Sequence, residues 1–421
     1  MEQSKVFLDL IRSNLAAEAE KAQDTVSKAS EVLLGPLSSD LATTPYDVVY
    51  EEDRVKLKHY RTPGDHKFKT PLLVTYALIN RETMLDLQSD RSVVKTFINN
   101  GIDLYMIDWG YPTRKERFQT IDDHVNGYMD NVVDYIRDAT GVDKINLMGI
   151  CMGGTFSVIY TALHPEKVRN LITTVTPSSF DNDKGLLHVW MKSIDVDHLV
   201  DTYGNLSGDV MNFGFLLLNP ARLMLDKYVG FFENMGNRSF VENFVRMEKW
   251  IFDSPDLPGE TFRQFVTDFY QKNLLIQSKL HIGGKRVDLK KITVPVLNFY
   301  GQYDHLVPPE ACNQLTQNVG SKDVEDICLD TGHIGIYVSS KCQREFAPKI
   351  VRWLHERDGG DVKVKEAEKV KDTATEKEAA APSKPVGMRI KKPSRTPKGK
   401  ETGKRVGGVK PSLNQIIQNT I

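Results

Sequence analysis

Six short runs of the chain are apolar in whole or in large part and rich in β-branched residues: 70–78 (TPLLVTYAL), 103–109 (DLYMIDW), 144–149 (KINLMG), 170–176 (NLITTVT), 294–301 (VPVLNFYG) and 325–330 (EDICLD). A strand with one wet face alternates polar and apolar residues, whereas these runs do not, so they predict central strands of a parallel sheet covered on both faces. Between them, 121–141, 154–165, 309–320 and 343–358 carry apolar positions at helical spacing, several ending at Gly or Pro. Strand and helix alternate, which is the pattern of a doubly wound, mostly parallel α/β sheet. Ahead of it, Val6, Leu8, Leu10, Ile11, Leu15 and Ala19 predict a helix within residues 4–33 lying outside the sheet.

The alternation is interrupted over about residues 182–285, where no clear strand is found and two segments, FGFLLL (213–218) and YVGFFENM (228–235), are conspicuously apolar. An insertion after a sheet strand on the catalytic edge predicts a helical lid, or cap, over an active site. Past the last helical pattern the chain loses its aromatic residues and becomes rich in Lys, Pro, Gly and Thr, a composition that buries too little apolar surface to offset the entropy of ordering. The expected organisation is an N-terminal helical segment (1–40), a catalytic domain (41–357) carrying the lid, and a disordered tail (358–421).

Charge sharpens that division. The 421 residues sum to a net charge of -1, but residues 361–421 carry a net of about +8 by count, leaving an acidic core. Strong nucleic-acid binding is therefore not expected beyond weak tail contacts. The four cysteines (Cys151, Cys312, Cys328, Cys342) show no metal-ligand spacing and the N-terminus lacks a signal-peptide pattern, so reduced thiols in the cytosol are expected. No apolar run is long enough to span a bilayer.

The chemistry is concentrated in KINLMGICMGGTFSVIY (144–160). A buried strand, a tight bend with Gly149 and Gly153 two residues either side of Cys151, and a following helix form a nucleophile elbow with a thiol where a serine is usual. Glycine is needed at the flanking positions because a side chain there would collide with neighbouring backbone. The turn offers the Met152 amide, at a helix N-terminus, to an oxyanion. A thiol at this position favours acyl transfer, since its acyl thioester stays activated for a second acceptor.

A thiol nucleophile needs a base. On this strand-and-elbow architecture an acid and then a histidine follow in chain order. Asp304, just past the strand 294–301, and His333, just past 325–330, would emerge on the same sheet edge as Cys151. His333 would take the thiol proton, and Asp304 would either orient the imidazole or serve the hydroxyl of a second acceptor. His124 and His164 lie in helical contexts, His188 in the lid, and His305 beside Asp304 where lining the pocket is the better reading.

In order and spacing, the segments 71–92, 107–114 (IDWGYPTR), 141–154, 162–177, 246–273, DHLVPP (304–309) and TGHIGIYVS (331–339) resemble the catalytic subunit of class III polyhydroxyalkanoate synthases, over about residues 40–357. The resemblance implies an α/β-hydrolase fold and polymerisation of (R)-3-hydroxyacyl-CoA, best 3-hydroxybutyryl-CoA, into a polyester with release of CoA. Cys151 would carry the acyl group as a thioester, with His333 as base and Asp304 activating the 3-hydroxyl of the next monomer. The Met152 amide and one near Ile79 would bind the oxyanion. It also implies no cofactor beyond the CoA thioester substrate, a second synthase subunit, an oligomeric assembly, and a cytoplasmic location at polyester granules. Two other readings share parts of the pattern: a cysteine-nucleophile hydrolase of the depolymerase or dienelactone-hydrolase kind, and a noncatalytic granule-associated scaffold.

Overall fold

The computed structural model describes residues 37–64, 67–181 and 185–358, with positions 28 and 32. The helix expected within 4–33 and the basic tail lie almost entirely outside these residues. Eight strands form the main sheet: β1 (Tyr46–Glu52), β2 (Val55–Tyr60), β3 (Leu72–Thr75), β4 (Leu104–Asp108), β5 (Ile145–Ile150), β6 (Val168–Thr174), β7 (Val296–Gly301) and β8 (Val324–Leu329). Their spatial order is β1-β2-β4-β3-β5-β6-β7-β8. From β4 to β8 every pairing is parallel, as in Val74 opposite Met148 and Gly149 opposite Thr173. All six runs are strands of this sheet, and the doubly wound α/β class is the one observed; five are central, but β8, expected among them, is the far edge of the sheet and alternates exposed and half-buried residues.

Two strands escaped the apolar-run criterion. β1 and β2 form an antiparallel hairpin at the sheet edge, turning at Asp53, and β2 runs antiparallel to β4. One wet face gives them an alternating, charged sequence (YDVVYEEDRVKLKHY) in place of a continuous run. Val55 and Leu57 of this edge are fully buried, and so is most of Lys58. Lys58 Nζ lies 2.6 Å from Glu82 and 2.9 Å from Asp108, and Arg81 bonds the same two carboxylates at 3.0 and 2.9 Å. Two cations and two anions thus share one buried cluster, which ties the loop after β3 to the sheet edge.

The helix Met152–Leu163 packs against β5 and β6, with Phe156 and Tyr160 fully buried. The last helix, Ser340–Asp358, buries Phe346, Ile350, Trp353 and Leu354 in the core. Its final residue corrects the expected boundary at 357: Asp358 is buried, and its carboxylate accepts from the Lys69 and Thr70 amides and, at 2.6 Å, from the Thr70 hydroxyl. The single helix expected over 309–320 is two separate turns, Pro309–Cys312 and Leu315–Asn318.

The insertion is helical from Leu186 to Gln271. Its end departs from expectation: His281–Ile282 and Lys285–Arg286 form a small hairpin, and Leu275, Leu280 and Ile282 belong to the main core. The helical cap therefore ends near residue 271. Among the described residues no helix is long and apolar enough to cross a membrane.

Candidate active site

Cys151 follows the last residue of β5 with φ 52° and ψ -123°, a conformation that a side chain adopts only under strain. The surroundings hold it there. A Cβ on Gly149 would overlap the backbone of Gly154 and the Ser157 hydroxyl, and one on Gly153 would overlap the carbonyl oxygens of Thr75 and Tyr76 at the end of β3. The Cys151 amide bonds Thr174 O at 2.9 Å, fastening the turn to β6. Met152 is the first residue of the following helix, so its N–H has no acceptor within that helix.

Asp304 and His333 leave the ends of the neighbouring strands β7 and β8 and meet. His333 Nδ1 is 2.6 Å from Asp304 Oδ2. The other carboxylate oxygen, Oδ1, accepts from the amides of Leu306 (2.9 Å) and Val307 (2.8 Å), and the side chain is 0% exposed. Cys151 and His333 line the same cavity, close enough for the sulfur to act on the imidazole. Burial works to lower the His333 pKa, but the Asp304 carboxylate and the Cys151 sulfur outweigh it and raise it from 6.5 to about 10. The imidazole is therefore a strong base placed beside the elbow sulfur.

These groups open on a cavity of about 330 Å³. Cys151, Met152, His333 and His305 line it from the sheet side, and Trp190, Met211, Phe215, Trp250 and Tyr270 from the cap. Asp304 does not line it. Ile79, expected near the oxyanion, is part of the wall, in the loop that the buried ion cluster anchors. The same loop is held to the cap by Trp250 Nε1 donating to Arg81 O at 2.8 Å and by Ser254 donating to Asn80.

His124 and His164 are placed away from the cavity. His124 is fully buried among Trp109, Tyr128 and Phe156, its Nδ1 2.8 Å from Thr120 O, and burial lowers its pKa to about 4. His164 stacks on Tyr160 and bonds Asn126 at 2.8 Å. Cys312 is buried in a small cluster beside Cys151, and Cys328 is exposed; the Cys342 side chain is outside the described set. Tyr270 and the Asn80–Ser254–Asn212 hydrogen bonds carried no signal in the sequence, because they belong to ordinary helical and loop patterns that acquire meaning only when the cap closes on β3.

Comparison with known proteins gives the same frame. The α/β hydrolase fold model matches residues 79–339, and the N-terminus model of poly-beta-hydroxybutyrate polymerase (PhaC) matches residues 8–97. The poly(3-hydroxyalkanoate) polymerase subunit PhaC of Allochromatium vinosum is 47% identical over 352 residues, covering 83% of this chain and 99% of that protein. The chain belongs to the PhaC family of poly(3-hydroxyalkanoate) polymerases. The PhaC subunit of Synechocystis sp. is 44% identical over 321 residues, 75% of this chain and 85% of its own. Family membership thus agrees with the class III resemblance of the motifs. Among solved structures, a soluble variant of the Saccharomyces cerevisiae monoglyceride lipase in complex with a substrate analog superposes with a TM-score of 0.50 at 13% identity, covering 77% of this chain and 99% of that one, a likeness of fold alone. The two share the fold, and in this chain the elbow after β5 carries Cys151.

Proposed function

We propose that this chain is the catalytic subunit of a polyhydroxyalkanoate synthase that polymerises (R)-3-hydroxyacyl-CoA, best 3-hydroxybutyryl-CoA, with Cys151 as acyl carrier. The observation that carries the reading is the thiol on the strained elbow, lining one cavity with a histidine whose Nδ1 lies 2.6 Å from Asp304. Cys151 thiolate attacks the thioester carbonyl of the substrate, and the amides of Met152 and of the loop at Ile79 receive the oxyanion. The tetrahedral species expels CoA, which takes the proton of the His333 imidazolium. Neutral His333 then accepts the proton of the next 3-hydroxyl as that oxygen attacks the Cys151 thioester. An ester bond forms, the thiolate returns, and the imidazolium is restored. Asp304, covered on all sides, orients His333 in both halves; this geometry supports positioning over direct contact with a substrate hydroxyl.

The cap supports the remaining part of the reading. Val210, Phe213, Leu217, Leu225, Val229 and Phe232 leave an exposed apolar surface on it. Such a surface suits a second synthase subunit, another copy of the chain, or a polyester granule in the cytoplasm.

The test is release of CoA from (R)-3-hydroxybutyryl-CoA together with recovery of polymer. Wild type gives both. Cys151→Ala gives neither while keeping its fold, and Cys151→Ser is severely impaired, because a hydroxyl is poorly matched to a base set for a thiol. CoA release with only free hydroxy acid as product would make the chain a hydrolase. Polymer formation by Cys151→Ala would remove the thiol from the mechanism.

A further inference from the structure

The cavity wall carries few polar side chains, and most of them are already committed within the protein. Asn80 and Asn212 are tied to Ser254, Trp250 donates to Arg81 O, and Lys227 pairs with Glu248. Two phenols differ. Tyr76 and Tyr270 line the cavity with Cys151 and His333, are 4% and 8% exposed, and neither hydroxyl makes a hydrogen bond to any described residue; Tyr270 is the one the cap presents. A buried phenol without a partner is costly unless a ligand supplies one.

Its ring is held with little freedom. Tyr270 packs edge-on against Phe180 (centroids 4.9 Å apart) and His188 (5.1 Å), and is tilted against Phe265 (6.0 Å). His188 behind it is fully buried and has no hydrogen-bond partner on either nitrogen among the described residues; burial first, and Lys192 next, lower its pKa to about 4, so it is a neutral packing surface. The segment Phe265–Gln271 that presents Tyr270 is a π-helix, a local widening that recurs at functional sites and here turns the aromatic residue toward the elbow. Burial, and then the Cys151 sulfur, push the phenol pKa up, so the group stays an O–H donor throughout the working range.

We propose that the Tyr270 hydroxyl hydrogen-bonds the 3-hydroxyl of the hydroxyacyl group at Cys151, and so selects hydroxylated over plain acyl thioesters. The inference rests on the polymerase reading and adds the residue that recognises the feature by which this substrate differs from an ordinary acyl-CoA. A site built around such a bond discriminates strongly, because an acyl chain lacking the hydroxyl leaves the buried phenol unpaired. Tyr76, the other phenol on the wall, feels Glu82 as well as Cys151 and serves as the comparison.

The experiment is the single-turnover burst of CoA from (R)-3-hydroxybutyryl-CoA and from butyryl-CoA, measured on wild type, Tyr270→Phe and Tyr76→Phe. Wild type should acylate the hydroxylated substrate at least about tenfold faster. Tyr270→Phe keeps the ring and should lose roughly 10- to 100-fold on that substrate while holding or gaining rate on butyryl-CoA, with its thermal midpoint unchanged. An unchanged substrate ratio in Tyr270→Phe, an equal fall on both substrates, or loss of discrimination confined to Tyr76→Phe would overturn the assignment. A wild-type chain that releases no CoA from the hydroxylated substrate overturns the polymerase reading itself, and this role with it.

Discussion

His333 Nδ1 lies 2.6 Å from one oxygen of Asp304, and the other oxygen of that carboxylate is occupied by the amides of Leu306 and Val307. With its side chain fully covered, Asp304 reaches the reacting atoms only through the imidazole. Asp304→Asn should therefore slow the first CoA burst and chain elongation by the same factor, roughly 10³- to 10⁴-fold, through a misoriented His333 tautomer. Single-turnover and steady-state CoA release measure the two halves. A normal burst followed by failed elongation would show that Asp304 contacts the acceptor hydroxyl after all.

The His333 pKa sets a pH window. Because the folded value, about 10, lies above the ordinary 6.5, the stabilisation it contributes is fully present below pH 6.5 and is lost as pH rises through about 10. The stability difference between wild type and His333→Gln should shrink over that interval, read by urea unfolding at successive pH values. Proton NMR should find the imidazole still doubly protonated at pH 8 in wild type and neutral there in Asp304→Asn.

The elbow permits little substitution. Gly153→Ala would drive a methyl group into the carbonyl oxygens of Thr75 and Tyr76, separating the helix after Cys151 from β3. A loss of about 1–3 kcal/mol or more is expected by denaturant titration, together with loss of activity. Full activity in this variant would mean that the turn is more pliable than its contacts imply.

Removing one charge from the cluster of Lys58, Glu82, Asp108 and Arg81 leaves an uncompensated ion in a buried setting. Glu82→Gln should cost about 3–5 kcal/mol, whereas a balanced apolar replacement of a pair should cost much less. Since Arg81 also receives the Trp250 indole through its carbonyl, the single variant should loosen the cap and raise KM. Equal stability of wild type and Glu82→Gln would make the cluster a bystander.

Truncation after Asp358 retains the carboxylate that accepts from Lys69 and Thr70, so CoA release should stay within about a factor of three of the full chain while salt-dependent association with polyanions falls. A cut at Ser340 removes Phe346, Ile350 and Trp353 from the core and should abolish folding. Loss of activity on removing only residues 359–421 would show that the basic segment is needed by the enzyme or its partner.

The sequence by itself determined five central strands, the elbow, and the order in which Cys151, Asp304 and His333 appear; the sixth run is a strand too, but at the sheet edge. These are local facts: a run buried on both faces shows continuous apolar character, and the sterics of the elbow reside in glycines within a few residues of Cys151. Tertiary structure decided the rest. The β1–β2 edge was illegible because its one wet face breaks the apolar run, and Lys58 gave no hint of burial because the charges that neutralise it come from residues 82 and 108. Whether Asp304 could touch a substrate depended on the fold of its own loop over both oxygens. Tyr270 became a candidate only when a π-turned cap segment, more than a hundred residues after the elbow, closed over Cys151. Periodicity reports that a face is covered. It does not report by what, and the partner is what sets the protonation, hydrogen bonding and reach of a side chain.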